Sequence, residues 1–344
     1  MSDPTARTPQ AFIGGLHGLR GVAAMWVFLY HLWDGWDWSP GHLGVDLFLI
    51  LSGFVLSHVY AAGLHSAADY RGFIRSRIAR IYPLHLVTLL AVATVVMTWP
   101  GFAGSFLRPE QRFGADAFLA HLLLVQNWAY FLPTSWNAPA WSLSAEWAGY
   151  LAFPGIVLLA RRGRQPLLLA VACMAVMSLA LHGWGVKDGN GTGSPGMLRM
   201  GFGVLAGCLV YRAYAAGLRL PPAPTTLGCV ALLAVAHVPG FGGLGTLAFP
   251  ILTLLCATGA GALAQACASR PAVWLGTLSY SIYLWHWLII QMANRAVPDW
   301  HWLLRDTAVV VVTLAISAAS FRCIERPGRS LLLRPMLGKV AKDA

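Results

Sequence analysis

The sequence predicts an all-α protein that crosses a membrane many times, and two observations support this prediction. Of the 344 residues, 57% are hydrophobic and only 11% are charged, whereas about a quarter of the residues of a soluble domain are charged. Apolar stretches of roughly 20 residues recur along the whole chain, and a helix of that length crosses a ~30 Å hydrocarbon layer. Water is therefore not the main solvent of this chain.

The basic residues indicate membrane topology rather than nucleic-acid binding. The net charge is +11, but the basic residues lie in short loops, and no aromatic residues are interleaved with them to form a nucleic-acid surface. The positive-inside rule accounts for such loops, so we predict no nucleic-acid partner. The six cysteines have neither CxxC nor paired spacing, and we predict neither disulfides nor a metal site.

Eleven hydrophobic segments are candidates for membrane spans. The positive-inside rule places the basic connectors in the cytoplasm, which requires an even number of crossings between Arg80 and Arg161, where three segments lie. The segment 115–131 is short and contains His121, so we predict a re-entrant or interfacial helix on the outer side. The other ten segments are the predicted spans: 14–33, 42–62, 82–99, 139–160, 166–183, 196–216, 225–238, 246–267, 272–292 and 302–321.

Ten spans place both termini in the cytoplasm. The chain is accordingly divided into three parts. Residues 1–13 are expected to form a flexible N-terminal tail, 14–325 a single transmembrane domain, and 326–344 a cytoplasmic C-terminal tail. The sequence contains no long polar stretch that would form a second, soluble domain.

Arg20 and His31 lie within the first predicted span. Ionisable groups inside spans are costly, so each is a candidate functional residue. The separation of 11 residues brings the two side chains to within about 20° of one helix face and about 16 Å apart along the axis. Arg20 then lies towards the cytoplasm and His31 towards the outside. A snorkelling arginine and an interfacial histidine form the alternative interpretation.

Two carboxylates are predicted at the depth of His31. Asp46 lies near the outer end of the second span, where it would orient His31 or support its charge; a structural Asp paired with a neighbouring helix fits equally. Glu146 shares a helix face with Ser142 at the outer start of the span 139–160. Its carboxylate is suited to general acid or base chemistry, and a purely structural buried Glu is the alternative.

A third group at this depth is His286. In the span 272–292, Ser279, Tyr283 and His286 follow one another at i, i+4 and i+7, so they line one helix face. The direction of the span brings His286 into the outer half of the membrane. A histidine that only packs and hydrogen-bonds is the alternative interpretation.

Arg77 and Arg80 lie one turn apart at the cytoplasmic start of the third span. Such a pair is suited to binding phosphates, although a positive-inside cluster would look the same. Together with Arg20, these residues give the cytoplasmic half a basic character, whereas the titratable groups lie in the outer half. This separation is suited to a long anionic donor whose reactive end reaches upward through the protein.

The same segments resemble the membrane acyltransferase-3 family, which includes bacterial enzymes that O-acetylate extracytoplasmic glycans. Six motifs carry the resemblance in the family's order along nearly the whole chain. They are GLRGVAAMWVFLYHLW, GVDLFLILSGFVLS, RIARIYPLHL, AWSLSAEW, LGTLSYSIYLWHW and the terminal IERP around Glu325.

The resemblance implies an acyl-CoA donor, most often acetyl-CoA, that enters from the cytoplasm and is a co-substrate rather than a bound cofactor. It implies that His31 is catalytic and that Arg20, Arg77 and Arg80 bind the donor. We expect a carbohydrate or glycolipid acceptor outside the inner membrane. Residues assigned to acceptor binding or support are Ser142, Asn137, Tyr283 and His286; the assigned catalytic residues are His31, Glu146 and Asp46.

Acceptor selection is expected to depend on outer segments of this domain. The loop 100–140 is expected to shape the acceptor site, and the Gly-rich loop 184–195 either contributes to it or only connects two spans. Many relatives carry a soluble hydrolase-like domain after the membrane part, whereas this sequence ends about 20 residues after its last predicted span. A separate envelope partner protein is the alternative source of acceptor selection.

Two mechanisms and two rival functions fit the residues. His31 acts either as the general base for the acceptor hydroxyl or as a nucleophile that carries the acyl group. A proton-coupled transporter would also bury His and carboxylate groups, but no inverted repeat is visible and the Arg20–His31 helix has no central break. A non-catalytic scaffold or lipid-flippase partner would not require His31.

Overall fold

The computed structural model describes residues 12–33, 40–60, 63–99, 101–128, 134–186 and 191–340. The predicted tail 1–13 therefore lies almost entirely outside the described residues. The regular elements of the described part are all helical. The helices are α1 Gly14–Leu32, α2 Gly44–Tyr60, α3 Ala67–Thr98, α4 Pro109–Arg112, α5 Ala115–Leu122, α6 Ala140–Arg161, α7 Pro166–Gly183, α8 Ser194–Ala215, α9 Pro222–Val235, α10 Ala248–Thr258, α11 Gly261–Cys267, α12 Arg270–Ala296, α13 Trp302–Ser320 and α14 Arg326–Val340.

Length and hydropathy confirm a polytopic helical membrane protein. Among the described helices, six are long and apolar enough to cross a membrane: α2 with its preceding turn, α3, α6, α7, α12 and α13. The helices α10 and α11 meet at a 77° bend and give a seventh if they form one broken span. The predicted spans in α1, α8 and α9 are not among these, so the count of ten and the cytoplasmic location of both termini stay predictions.

The segment 115–131 forms the short helix α5, which has 8 residues. Its length of about 12 Å is too short to cross a membrane. Non-helical backbone follows from Leu123 to Trp128, and protein groups satisfy it: Gln126 Nε2 donates to the Ala140 carbonyl at 2.8 Å, and the Asn127 amide donates to Ser144 Oγ at 3.1 Å. Irregular backbone at membrane depth needs such internal partners.

Two element boundaries differ from the hydrophobic pattern. The third predicted span begins at 82, whereas α3 begins at Ala67, because Ser66 and Asp69 form a capping box that starts the helix in its basic part. At the other end of the chain, a π turn Phe321–Glu325 joins α13 to α14. The predicted tail 326–344 is therefore helical as far as Val340, and Arg75 of α3 donates to its Leu332 carbonyl at 2.8 Å.

Helices α1 and α12 run parallel and approach each other closely through glycines. A Cβ at Gly21 would meet the backbone of Leu275 and Gly276, and a Cβ at Gly276 would meet the carbonyl of His17. Small residues permit such close backbone contact between membrane helices. This contact fixes the register of the two helices, so that His31 and His286 come to the same level.

Substitution of Gly276 by Ala tests this contact. The added methyl group has no space, and we expect a loss of about 1–3 kcal/mol of stability from overpacking. Thermal unfolding of the purified protein in detergent measures it. Gly201→Ala in α8 is the matched control, because a Cβ there meets nothing within 4 Å. Equal melting temperatures for the two variants would contradict the close α1–α12 contact.

Candidate active site

A long cavity of about 380 Å³ lies between α1, α2, α3, α6 and α12. Its lining follows α2 from Val45 to Val59, a length of about 21 Å at 1.5 Å per residue. Phe12 and Ile13, before α1, line one end, and Ser142 and Tyr283 lie towards the other. The cavity is thus a narrow passage along the helix bundle rather than a round pocket.

Cationic side chains line the half of the passage nearer the start of α1. Arg20 points its guanidinium over the Phe48 ring, with 6.0 Å from Cζ to the ring centroid. Arg77 donates to the Tyr60 hydroxyl at 3.1 Å. Within the described part of the chain, neither arginine forms an ion pair. Both guanidinium groups are thus available to an anionic ligand, and His17 and His58 lie in the same lining.

Arg80 also lines the passage but has a carboxylate partner. Its guanidinium donates to Glu325 at 2.7 Å, and its Cζ lies 5.1 Å from the centroid of the Tyr280 ring. Glu325 is buried at the end of the π turn and accepts a second hydrogen bond from Ser281. The two members of the predicted pair therefore differ in their partners. Arg77 has no carboxylate partner in the described chain, whereas Glu325 of the IERP motif holds Arg80 in place.

Glu146 lies on the passage wall, as does Ser142 one turn earlier. Ser52 of α2 donates to the Glu146 carboxylate at 2.7 Å. Ser142 Oγ lies 2.6 Å from the Tyr283 hydroxyl, which in turn donates to the Pro139 carbonyl at 2.9 Å. Because Tyr283 lies near the middle of α12, these contacts place the beginning of α6 inside the bundle rather than at its edge.

His31 and His286 form a pair just beyond the passage. Their ring centroids are 5.1 Å apart, and the Tyr283 ring lies 5.8 Å from that of His286. In both histidines Nδ1 faces a backbone carbonyl, at 2.9 Å from Val27 for His31 and at 3.2 Å from Ile282 for His286. A carbonyl only accepts, so Nδ1 carries the proton and Nε2 carries the lone pair of the neutral ring.

One member of this pair and one neighbouring residue have polar atoms that no described residue satisfies. His286 is fully buried, and its Nε2 has no hydrogen-bond partner in the described chain. Asn137 donates to the Leu284 carbonyl at 3.3 Å, while its Oδ1 is buried without a described partner. Buried polar atoms are normally hydrogen-bonded, and such unsatisfied atoms mark a place where a polar ligand group fits.

The hydrogen bonds of Asp46 go to another residue than His31, which Asp46 was predicted to orient. Both carboxylate oxygens accept from Arg199 of α8, at 2.9 Å each, and the two side chains are each only 1% exposed. The structure thus favours the alternative interpretation, an Asp paired with a neighbouring helix. The physical reason is that a buried guanidinium needs a fully bonded anion, and α8 packs tightly on α2, where Gly207 contacts Gly53.

Sequence reasoning gave no role to Arg199, Glu325, Ser52 or His17. For Arg199 a signal existed, because an arginine inside a span requires a buried partner. For the other three, the local pattern carries no information about which distant side chain they meet. Within the described residues, no group of three or more His, Cys, Asp or Glu side chains could hold a metal ion.

The sequence model of the acyltransferase-domain family (acyltransferase 3) matches residues 13–322. The chain belongs to this family. The most similar relatives include YrhL of Bacillus subtilis, provisionally named a peptidoglycan O-acetyltransferase, at 28% identity over 93% of this chain and 55% of that protein. The peptidoglycan O-acetyltransferase OatA of Listeria monocytogenes is 26% identical over 94% of this chain and 57% of its own.

A third relative is named only as an acyltransferase, without a stated acceptor. The acyltransferase MdmB of Streptomyces mycarofaciens is 35% identical over 40% of this chain and 38% of its own length. The chain spans little more than half the length of YrhL and OatA. No solved structure matches the chain.

Variants of the Asp46–Arg199 pair test whether the role of Asp46 is structural or catalytic. Asp46→Asn leaves Arg199 buried without its counter-charge, and we expect a loss of about 3–5 kcal/mol of stability. The double variant Asp46→Leu/Arg199→Met removes both charges and is expected to regain most of that loss. Thermal unfolding in detergent measures both, with the exposed Asp116→Asn as control. An Asp46→Asn protein of unchanged stability but without activity would instead establish the catalytic role.

Proposed function

We propose that this protein is an inner-membrane O-acyltransferase. It transfers an acyl group, chiefly acetyl, from cytoplasmic acyl-CoA to a hydroxyl of an extracytoplasmic carbohydrate or glycolipid. One observation carries the proposal: a cation-lined passage along the bundle leads to a pair of histidines, of which His286 is fully buried and His31 half-buried. Membership of the acyltransferase-3 family and the names of the relatives support the reaction class.

The passage suits the shape and charge of acyl-CoA. The donor has phosphate groups at one end and a long, thin arm that ends in the thioester. Arg20 and Arg77, without carboxylate partners in the described chain, and Arg80 beside Glu325 are the groups that would bind the phosphates by charge-assisted hydrogen bonds. The arm would then follow α2 towards Ser142 and Tyr283, which places the thioester near the histidines.

His31 is proposed as the general base. Its Nε2 takes the proton of the acceptor hydroxyl as the oxygen attacks the thioester carbonyl carbon. A C–O bond forms, the C–S bond breaks, and the departing thiolate takes the proton from Nε2, which returns the ring to its neutral form. The Nδ1–H bond to the Val27 carbonyl keeps the ring in the tautomer that this step needs, and it spreads the positive charge of the imidazolium.

The second mechanism uses the same nitrogen as a nucleophile. Nε2 attacks the thioester carbonyl carbon, the C–S bond breaks, and the CoA thiolate takes the Nδ1 proton to leave as the thiol. The acceptor hydroxyl then attacks the acyl-imidazole, the C–N bond breaks, and the hydroxyl proton returns to the ring. Glu146, whose carboxylate accepts from Ser52, is proposed to move protons along the passage in either mechanism. His286 and Asn137 are proposed to support the acceptor, because each has a buried polar atom without a described partner.

The transporter hypothesis gains no support. The family and its named relatives are acyltransferases, and α1 carries Arg20 and His31 on one unbroken helix. The proposed acceptor is a hydroxyl-bearing glycan, because the two longer relatives are named for peptidoglycan. If the acceptor has to be delivered to the outer side, a separate envelope partner protein is proposed to deliver it.

His31→Ala tests the proposed chemistry. The purified protein in liposomes is given radiolabelled acetyl-CoA and a host-envelope extract, and label transfer is measured. Loss of the base is expected to lower transfer by roughly 10²–10⁴-fold, whereas His182→Ala, an exposed histidine outside the passage, is the control and is expected to match wild type. Wild-type transfer by His31→Ala would refute the assignment. Label that stays on the wild-type protein without acceptor would support the acyl-histidine mechanism.

Arg20→Gln tests donor binding. We expect the KM for acetyl-CoA to rise by roughly 10–100-fold, because a hydrogen bond to a charged group contributes about 1.5–3 kcal/mol. Inhibition by CoA and by pantetheine, which lacks phosphate, separates the causes: the variant should lose affinity for CoA and keep that for pantetheine. Exposed Arg219→Gln is the control. Equal losses for both inhibitors would show that Arg20 shapes the passage instead of binding phosphate.

A further inference from the structure

Two arginines and four aromatic rings meet where the segment 101–114 packs on the second half of α12. We name this group the arginine–aromatic cluster; it consists of Phe102, Phe106, Arg112, Phe113, Trp287 and Arg295. The predicted topology places it on the outer side. Trp287 directly follows His286 along α12. The cluster therefore adjoins the histidine pair, at the level where the acceptor is proposed to bind.

Among the described residues, three aromatic rings surround the Arg112 guanidinium. Its Cζ lies 4.7 Å from the centroid of Phe106, 5.6 Å from that of Trp287 and 5.9 Å from that of Phe113. The guanidinium makes no hydrogen bond or ion pair with the described residues, and its Nε is buried without a partner. An arginine carries five N–H donors, and a desolvated donor without an acceptor costs about 1–3 kcal/mol.

Arg295 is bound, but only by neutral groups. It donates to Ser105 Oγ at 2.7 Å and to the Gln291 side chain at 2.7 Å. Its Cζ lies 4.6 Å from the centroid of Phe106, the ring that Arg112 also contacts. The two guanidinium groups therefore share one ring.

The cluster holds two positive charges and no counter-charge from the described chain. The three ion pairs of that part of the chain lie elsewhere. Burial, and then the nearby charge of Arg295, lower the pKa of Arg112 from its ordinary value, yet an arginine stays protonated in proteins. Like charges at close range repel, so an anion bound between them relieves both the repulsion and the unsatisfied donors of Arg112.

We propose that the arginine–aromatic cluster binds the carboxylate of an acidic saccharide and that it thereby selects the acceptor. Arg112 supplies the free donors, Arg295 adds charge, and the half-buried rings of Phe106 and Phe113 provide apolar surface for the sugar. This inference rests on the proposed function for the role of the bound saccharide as acceptor. The binding site itself does not depend on catalysis.

Titration of the purified full-length protein in neutral nanodiscs tests the site without acyl-CoA. The probes are an oligosaccharide of uronic acids and the same oligosaccharide with its carboxyl groups reduced to hydroxymethyl groups. We expect the acidic probe to bind, and Arg112→Gln to weaken it at least tenfold. Arg112→Lys, which keeps the charge but loses the planar fork, should weaken it less. Exposed Arg108→Gln in the same segment is the matched control.

Three results would overturn the proposal. Equal binding of the acidic and the reduced probes would show that charge is not recognised. Binding that is lost when phosphatidylglycerol replaces the neutral lipid would assign the site to a lipid headgroup. Unchanged affinity of a folded Arg112→Lys and a folded Arg112→Gln, each verified by thermal unfolding, would reduce the cluster to a packing element.

This titration, set beside the acetyl-transfer assay in liposomes, separates this inference from the proposed function. His31→Ala is expected to bind the acidic probe as wild type does, because His31 takes no part in the cluster. Binding without any acetyl transfer would leave the saccharide site in place and refute the enzyme assignment. Transfer to a neutral acceptor that does not bind the cluster would support the enzyme assignment and refute acceptor selection by the cluster.

Discussion

The close parallel contact of α1 with α12 is the constraint on which the site depends. The backbones touch at Gly21 and Gly276, and no larger residue fits between them. Because both helices rise by the same amount per residue, this one contact sets the level of every side chain above it. It brings His31 beside His286 and leaves Arg20 lower down, on the wall of the passage.

Charges inside the bundle fall into two groups that the contacts distinguish. Arg199 is held by Asp46 with both oxygens, and such fully paired charges stabilise the bundle without being available to a ligand. Arg20 and Arg77 have no such counter-charge in the described chain, although each lines the passage. Both are half-buried, and a cation partly withdrawn from water without a paired anion is costly, so their presence is a reason to expect an anionic ligand at that place.

The short helix α5 and the irregular segment after it allow α6 to begin inside the bundle. Gln126 donates to the Ala140 carbonyl and the Asn127 amide donates to Ser144 Oγ, and these bonds tie the irregular segment to the first turns of α6. Ser142 consequently meets Tyr283 in the middle of α12. This end of the passage therefore lies at Tyr283, whose ring is 5.8 Å from that of His286.

The sequence by itself determined the membrane class, the helical architecture, the short helix within the segment 115–131 and the spacing of Arg20 and His31 along one helix. These features follow from composition and from the rise per residue, which are local properties of one helix. The partners of charged groups were decided only by the tertiary structure. Asp46 meets Arg199 across 153 residues, and Arg80 meets Glu325 across 245. Depth can be counted along a helix, but the partner of a side chain depends on which helices are neighbours and how each is rotated.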